Sequence, residues 1–430
     1  MMTSMRDGQY KLNQFVMIDA TAKTTDCGKA LELTSVCVQA NIYESVLSPS
    51  VLAEFEFYDA KGMFNHFTFT DKKIVIDFTT NEENTKSSIQ YEFYIVSVDP
   101  ALVTNDDKAM VYKLSCVTYE VWKSATIRNL PLARKKIECE KMVKAYLDAI
   151  GSQKSFFSEK TRGLHAFNFT EKTPMECIDQ IRVEYAMSQE FKGHAFYFFE
   201  NKYGFVFKSM EQMIKEGKKN IGDKCFMMST LTGLDMTGAK WRNILATKNI
   251  QNGNQGIARR IGAGNNLVQL MDRVTGEIIP WKVDPKNLSF ETLNEKSISS
   301  TLKTLNEMGE DEGNIVLVMI DPKTENAERA EKKNHLPYYM AHFLTTVGHI
   351  TIYGDSTISI GDVIKCQFPE PDGLSRGEDN PIREDSTMTA GNYIVTKCRH
   401  ILTFNEKAEY MQALEIVKDG IGGLPQVHTV

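Results

Sequence analysis

The strongest constraint on the fold is a series of alternating apolar and polar residues in the first hundred-odd positions. In the segment EFEFYD, Phe55 and Phe57 point to one side of an extended chain, while Glu54 and Glu56 point to the other. Because side chains alternate between the two faces of a strand, this pattern predicts antiparallel strands with one buried face. Five or six such runs, bounded by polar turns, predict a small barrel or sandwich.

The middle of the chain changes to helical spacing. The run RNLPLARKKIECEKMVKAYLDAIGS repeats apolar residues every three or four positions and ends at a glycine, which predicts a helix. A second helix is predicted where Thr173 supplies the N-cap, Pro174 the first helical position and Glu176 the partner of a capping box. The aromatic-rich segment HAFYFFENKYGFVFKS then predicts a hairpin whose turn contains Gly204.

Strand-like segments return towards the end, with DVIKCQF, GNYIVTKCRHILTF and EYMQALEIVKDG. Gly361, Asp362 and Gly391 are interpreted as turn residues that precede two of these strands. Glycine permits a positive φ and aspartate can cap its own turn, so these residues need no further role to explain their positions.

These patterns predict three domains in an α+β, strand-rich fold: a small barrel or sandwich at 1–125, an α/β middle domain of two helices and a hairpin at 126–222, and a strand-rich domain at 223–430. Within the last domain, long inserted loops are expected at about 295–335 and 369–390, where Pro, Gly and charged residues are frequent.

Charge and composition narrow the classes of function. The 430 residues carry 50 Lys and Arg against 56 Asp and Glu, a formal net charge of −6, so a specific nucleic-acid binder is disfavoured. Neither a secretory signal nor a segment for stable membrane insertion is predicted. The eight cysteines contain no CxxC pair and are expected to be buried free thiols.

A search for chemical motifs finds no HExxH, no phosphate loop ending in GK[ST] and no strand-coupled GxGxxG. The glycines of IGAGNN at 261–266 are interpreted as a bend. His335, His342 and His349 are seven residues apart, whereas helical metal ligands converge at spacings of three or four. The sequence therefore predicts no catalytic, cofactor-binding or metal-binding residues, and favours a scaffold over an enzyme.

Three regions of the sequence carry a further signal: LELTSVCVQANIYESVLSPSVLAEFEFYDAKGMF, NFTEKTPMECIDQIRVEYAMSQEFKGHAFYFFENKYGFVFKSMEQMI, and GDSTISIGDVIKCQFPEPDG with GNYIVTKCRHILTFNEKAEYMQALEIVKDGI. Their order resembles the central baseplate hub protein of contractile-tailed phages, a relative of the hub portion of type VI secretion spikes and of phage late-control hub proteins. The resemblance spans nearly the whole chain. It departs from the family at Ile360, where a proline is common before the Gly-Asp turn.

The resemblance implies that 1–125 and 223–430 are two similar antiparallel β-barrel domains on either side of the α/β middle domain. It also implies a non-enzymatic structural protein of the virion. Such a hub is a homotrimer that joins the hexameric tail tube to the trimeric central spike and forms part of the DNA-ejection channel. The implied partners are the central spike protein and the tail tube or tube-initiator protein. The tape measure protein and baseplate wedge proteins are further candidates. The implied location is the tail baseplate of the virion, after assembly in the host cytoplasm, with DNA as cargo that passes without specific binding.

Two alternatives from other classes stay open. A tail-associated peptidoglycan hydrolase is suggested by the many carboxylates of the chain. A receptor- or carbohydrate-binding tail module would use Tyr338, Tyr339 and Tyr393 as exposed aromatic residues.

Overall fold

Strands dominate the computed structural model of this protein. The strands are, in chain order, β1 Lys11–Asp19, β2 Leu31–Glu32, β3 Cys37–Ser45, β4 Leu52–Asp59, β5 Lys72–Thr79, β6 Ile89–Leu102, β7 Met110–Thr118, β8 Phe156–Ser158, β9 Phe196–Asn201, β10 Gly204–Ser209, β11 Cys225–Met227, β12 Trp241–Asn252, β13 Leu267–Asp272, β14 Ile278–Lys282, β15 Ile315–Ile320, β16 Thr346–Tyr353, β17 Val363–Gln367, β18 Gly391–Thr403 and β19 Tyr410–Lys418. The helices are α1 Tyr119–Ser124, α2 Cys139–Ile150, α3 Pro174–Gln180 and α4 Met210–Lys219, and a π-helical turn at Ile181–Tyr185 continues α3. The structure describes residues 8–22, 30–64, 68–69, 71–80, 88–102, 109–128, 136–191, 194–228, 241–252, 267–272, 275–282, 291–293, 315–320, 332, 346–368, 389–404 and 408–419.

Six strands from the second half of the chain close into a barrel. Their order is β17, β11, β12, β16, β19 and β18, and β18 pairs again with β17. The barrel is antiparallel, as predicted, except at β11, which runs parallel to both β12 and β17. Parallel neighbours need a long connection, and residues 228–240 provide one between β11 and β12.

The barrel interior is filled from alternate positions of its strands, as the period of two requires. In β16 the burial alternates at every residue, with Ile350 and Ile352 on the inner side. Helix α4 packs against the same core through Ile214. At Gly217 this helix approaches β17 so closely that a Cβ atom would lie 2.4 Å from the Val363 side chain, which explains a glycine inside the helix.

The first seven strands form a curved antiparallel arc in the order β2, β1, β5, β6, β7, β4 and β3. Phe55 and Phe57 of β4 are fully buried while Glu56 is exposed, so the alternation predicted from EFEFYD is present. Among the described residues no pairing joins β3 back to β1 or β2. A second closed barrel therefore stays a prediction for this half of the chain. The arc joins the closed barrel through the antiparallel pair of β3 and β18, which makes one 13-stranded sheet.

Between these two parts lies a middle unit built from α2, α3 and a three-stranded sheet in which β8 runs parallel to β10. Helix α2 buries Val143, Tyr146 and Leu147 on one face and ends at Gly151, whose φ of 86° is the left-handed cap expected of glycine. The alternating run AMVYKLSCVTYEVW predicts a strand that continues to Trp122, and this prediction is wrong. Strand β7 ends at Thr118, and in helix α1 the Trp122 ring stacks on Tyr94 with centroids 4.8 Å apart.

Two further expectations for the C-terminal half need correction. The stretch 295–335, predicted as a loop, contains strand β15, which pairs in parallel with β13 in a separate three-stranded sheet. The sequence also predicts a helix across Pro337 to Val347, but Thr346 and Val347 begin β16, and residues 333–345 lie outside the described residues. Within the described part of the chain, no helix combines the length and apolarity needed to cross a bilayer.

Candidate functional site

The predicted capping residues lie at the start of α3. Thr173 Oγ1 accepts a hydrogen bond from the backbone N–H of Glu176 at 3.3 Å, and the Glu176 carboxylate accepts one from the Thr173 N–H at 2.7 Å. The hydrogen bonds from the Thr173 backbone and side chain lower the pKa of Glu176. Pro174 is the first helical residue. This geometry starts a helix that carries Ile178 into the core of the middle unit.

Two of the predicted turn residues, Gly361 and Asp362, lie where the β9–β10 hairpin of the middle unit faces the barrel. Gly204 has a φ of 134° and follows the tip of the β9–β10 hairpin, and Gly361 has a φ of 84° before β17. Gly361 and Asp362 line a cavity of about 420 Å³ together with Tyr203 of the hairpin. Lys224 Nζ donates to Asp362 Oδ2 at 2.6 Å and so ties the segment before β11 to this turn.

Gly391, the last predicted turn residue, lies at the other end of the same barrel wall. It begins β18 with a φ of 134° and faces Cys366 of β17 in the register of the closing strand pair. Gly391 therefore lies at the pairing of β17 with β18, which closes the barrel.

An ionic cluster of two buried carboxylates and a half-buried lysine connects the arc to the middle unit, and we call Glu120, Lys154 and Glu200 the middle junction. Lys154 Nζ donates to Glu120 Oε2 at 2.6 Å and to Glu200 Oε1 at 2.5 Å. The second oxygen of Glu200 accepts from Thr118 at the end of β7, and that of Glu120 accepts from Ser152. Each carboxylate oxygen of the middle junction thus has a donor.

The electrostatics of the middle junction follow from its burial. Desolvation raises the pKa of Glu200, although Lys154 opposes the shift. Burial alone would lower the pKa of Lys154, but the charges of Glu200 and Glu120 outweigh it and raise the pKa. Two carboxylates sharing one ammonium group leave the junction with one negative charge in excess when all three are ionised.

A second buried polar cluster lies where β3 of the arc pairs with β18 of the barrel, and we call Glu44, Cys398 and His400 the seam cluster. Their exposed fractions are 3%, 2% and 1%. The Tyr91 hydroxyl donates to Glu44 Oε1, and the Tyr410 hydroxyl lies 2.7 Å from His400 Nδ1. Glu44 Oε2 has no hydrogen-bond partner within the described residues.

Sequence reasoning selected none of the six residues in these two clusters. Cys398 and His400 carried a usable signal, because residues two apart in a strand share a face. Glu44, by contrast, joins them only through the pairing of β3 with β18, which brings together residues more than 350 positions apart. The members of the middle junction are likewise brought together only by the fold: Glu120 lies in α1, Glu200 in β9 and Lys154 in the connection between α2 and β8.

The structure also shows the surroundings of two residues named in the receptor-binding and metal-site hypotheses, Tyr393 and His349. Tyr393 is fully buried in the barrel core, with its hydroxyl donating to Thr389, so it cannot be the exposed aromatic residue of a receptor-binding module. His349 lies in β16 with Nε2 3.5 Å from Glu415 Oε2. The other residues on which these hypotheses rested lie outside the described residues: His335, His342, Tyr338, Tyr339, the segment 261–266 and most of 369–390.

One motif bears on the hydrolase alternative. The string GLSRG at 373–377 fits the pattern Gly-x-Ser-x-Gly, which in some hydrolases presents a nucleophilic serine on a sharp turn between strand and helix. Residues 373–377 lie outside the described residues. The string justifies a test for hydrolysis, but it does not define a catalytic site.

The described surface carries three large apolar side chains that are more than half exposed: Leu47 at 60%, Val96 at 62% and Ile278 at 54%. Leu47 lies in the β3–β4 turn, and Val96 lies at an irregularity in the β6–β7 register. Single exposed apolar residues are common on monomers, but they are also the residues that partner chains cover in assemblies.

No protein-family model and no curated protein sequence matches the chain. Solved structures match it over almost its full length. The 43 kDa tail protein of prophage MuSo2 from Shewanella oneidensis is 9% identical with a TM-score of 0.55, and the match covers 94% of this chain and 98% of that one. A tail protein from Neisseria meningitidis MC58 is 10% identical with a TM-score of 0.55, covering 95% and 98%. The predicted resemblance to phage tail proteins is thus confirmed at the level of the fold.

Proposed function

We propose that this chain is a structural subunit of a phage tail: the trimeric baseplate hub that joins the hexameric tail tube to the trimeric central spike. The observation that carries the proposal is the match of the whole fold, over 94% and 95% of the chain, to two tail proteins. A hub of this kind holds its neighbours in fixed positions and surrounds part of the DNA-ejection channel. Such a hub acts through its contacts with neighbouring subunits, and the proposal includes no catalytic step.

The internal construction of the chain suits such a role. The division into domains 1–125, 126–222 and 223–430 is part of the proposal, and the main apolar clusters centre on the arc, the middle unit and the closed barrel. The clusters also cross these bounds, because the barrel core takes in Phe199 and Ile214 and the arc core takes in Tyr410. Hydrogen bonds and ion pairs cross between all three parts. A subunit that carries load from a tube to a spike needs this continuity, because loose joints between domains would let the neighbours move.

The proposed partners are two further copies of this chain, the central spike protein and the tail tube or tube-initiator protein. Tape measure and baseplate wedge proteins are further candidates, with the virion baseplate as location. Leu47 and Val96 are proposed as side chains that a partner copy covers, because burying an exposed apolar side chain contributes about 1.5 to 3 kcal/mol.

The mass of the purified full chain in solution tests the trimer. We expect three chain masses by light scattering and native mass spectrometry, and a shift towards the monomer in Leu47→Glu and Val96→Glu. Glu56→Lys, on the exposed face of β4, is the control for a change of charge alone and should remain trimeric. A wild-type chain that stays monomeric at all concentrations would contradict the trimer.

Coexpression with the spike and tube proteins of the same tail tests the adaptor role, with co-purification as the expected result. A peptidoglycan clearing assay tests the hydrolase alternative on the same protein. Clearing by the wild type that is lost in Ser375→Ala would overturn the non-enzymatic assignment and point to the Gly-x-Ser-x-Gly string. No clearing, together with binding to the spike, is the outcome that the hub proposal requires.

A further inference from the structure

The seam cluster places three metal-type ligands on one face of two paired strands. In β18, Cys398 and His400 are two residues apart and therefore point the same way. In the antiparallel pair of β18 with β3, Glu44 lies directly opposite Cys398. Glu44 also occupies a position of β3 whose neighbours in the period of two, such as Ile42, face the core. An acid at an apolar position of a strand needs a partner of opposite charge.

Two of the three distances between the ligand atoms fit a tetrahedral metal ion. Cys398 Sγ lies 3.4 Å from His400 Nε2, and His400 Nε2 lies 3.6 Å from Glu44 Oε2. All three ligand atoms lie within 4.8 Å of one another. Bonds of about 2.0 to 2.3 Å at tetrahedral angles separate such ligand atoms by about 3.3 to 3.6 Å. The N-to-S and N-to-O separations therefore already have the lengths that a bound zinc-type ion requires.

Neighbouring side chains hold these ligands in the orientation that metal binding needs. The Tyr410 hydroxyl engages His400 Nδ1, which leaves Nε2 as the ligand nitrogen. Tyr91 donates to Glu44 Oε1, which leaves Oε2 as the ligand oxygen, and this is the atom without a hydrogen-bond partner. A hydrogen bond donated by the distal N–H of a ligating histidine is the usual support for a metal site.

We propose that Glu44, Cys398 and His400 bind a zinc-type divalent metal ion, which cross-links the arc to the closed barrel. The ion would bond to Glu44 Oε2, Cys398 Sγ and His400 Nε2. On binding, the Cys398 thiol loses its proton to solvent, so the thiolate and the carboxylate together balance the two positive charges of the metal. A solvent molecule completes four ligands. The inference rests on the seam geometry alone and holds whether or not the chain is a tail hub.

The role of the ion would be structural. The pair of β3 and β18 is the strand pairing that joins the two halves of the 13-stranded sheet. A metal ion bonded to both strands strengthens this pairing, because the site exists only when the strands are in register. The competing explanation is a metal-free cluster in which the thiol, imidazole and carboxylate interact only with one another.

Cobalt substitution separates the two explanations. The full chain, purified without a metal-affinity tag and treated with chelator, is titrated with Co²⁺, and the probe is the thiolate-to-cobalt charge-transfer band in the near ultraviolet. We expect the band to saturate at one cobalt per chain and to disappear when zinc is added. Metal analysis of protein that has not been exposed to chelator should give about one zinc per chain.

Matched cysteine variants assign the band. Cys398→Ser should abolish it, while Cys366→Ser, which alters another buried free thiol of the same barrel, should leave it unchanged. Zinc should raise the midpoint of thermal unfolding of the wild type and of Cys366→Ser only. A wild-type chain with no band and no stoichiometric metal overturns the proposal, as does a band that persists in Cys398→Ser. Because the wild-type titration decides by itself, a variant that fails to fold leaves the conclusion intact.

Discussion

The middle junction and the seam cluster are both buried polar clusters that connect two parts of the molecule, but they balance charge in different ways. In the middle junction Lys154 donates to both Glu120 and Glu200, and each remaining carboxylate oxygen accepts from a hydroxyl. In the seam cluster Glu44 Oε2 lies 3.6 Å from His400 Nε2, beyond hydrogen-bonding distance. In the middle junction every carboxylate oxygen has a donor from the protein, whereas in the seam cluster Glu44 Oε2 has no hydrogen-bond donor among the described residues and can accept a ligand.

A buried carboxylate is therefore not by itself evidence of a functional site. Burial costs several kcal/mol per ion unless hydrogen bonds and counter-charges compensate, so a fully paired cluster such as the middle junction is explained by architecture. The seam cluster is exceptional because its unpartnered oxygen stands beside a thiol and an imidazole, a set that suits a transition metal. Stability measurements can test this contrast from both sides.

The largest expected effect is that of Lys154→Met. Removing the shared cation leaves Glu120 and Glu200 buried next to each other, and breaking a buried pair in this way costs about 3 kcal/mol or more. Chemical denaturation should show the loss. Lys113→Met is the matched control, since it breaks an exposed pair with Glu54 at 3.2 Å and should cost less than about 1 kcal/mol. Equal losses in the two variants would contradict the view that burial determines the cost.

The next effect concerns Lys202, which lies beside the seam cluster and donates to the backbone oxygen of Ser356. Burial lowers its pKa to about 8 from an ordinary value of 10.5, although Glu44 opposes the shift. Between these two values the unfolded chain binds the proton and the folded chain does not, so stability rises with pH in this window.

Lys202→Met removes that dependence. We expect the free energy of unfolding of the wild type to gain about 2 kcal/mol relative to the variant between pH 8 and pH 10. Urea unfolding of both proteins at matched pH values measures the difference. A difference that does not change with pH would show that Lys202 is ordinary in the folded chain.

A smaller effect should have opposite signs in the two clusters. Burial raises the pKa of Glu200 above its ordinary value of 4.5, so its contribution to stability grows as the pH falls towards 4.5. For Glu44, burial would raise the pKa, but His400 and Tyr91 outweigh burial and lower it. Its contribution is therefore present above pH 4.5 and is lost as the pH falls through its folded pKa.

Glu200→Gln and Glu44→Gln measure these two contributions when they are compared with the wild type in the presence of a chelator. Relative to the wild type, Glu200→Gln should lose stability on acidification towards pH 4.5, and Glu44→Gln should gain stability as the pH falls below 4.5. The same sign in both variants would contradict the distinction drawn between the clusters.

Local pattern was enough to predict much of the fold and little of the two clusters. The alternation in β4, the end of α2 at Gly151 and the hairpin before Gly204 follow from residues close in sequence, and the structure has all three. Helix α1 was missed because its residues Tyr119 to Trp122 have the β-branched and aromatic character of a strand. Its contacts with Tyr94 and Lys154 are made only in the folded chain.

Parallel pairing and buried polar contacts were beyond such reasoning for a physical reason. Strand β11 has three residues, and nothing in so short a segment specifies which neighbour it pairs with or in which direction. Likewise Glu44 is a polar residue in an apolar register, which the period of two marks as unusual. Its partners follow only from the register of β3 with β18, and register depends on the packing of the whole sheet.

The smallest predicted effect calibrates the others, because the cap of α3 is a polar contact whose loss exposes no buried charge. Thr173→Ala removes the acceptor for the Glu176 N–H and should cost about 1 kcal/mol, while Thr173→Ser keeps the hydroxyl and should cost only a few tenths. Denaturant midpoints of the three proteins measure both values. If Thr173→Ala cost as much as Lys154→Met, the penalty in the middle junction would not come from uncompensated charge. A clear gap between the two would mean that the middle junction is stabilised by charge pairing beyond what a single capping hydrogen bond supplies.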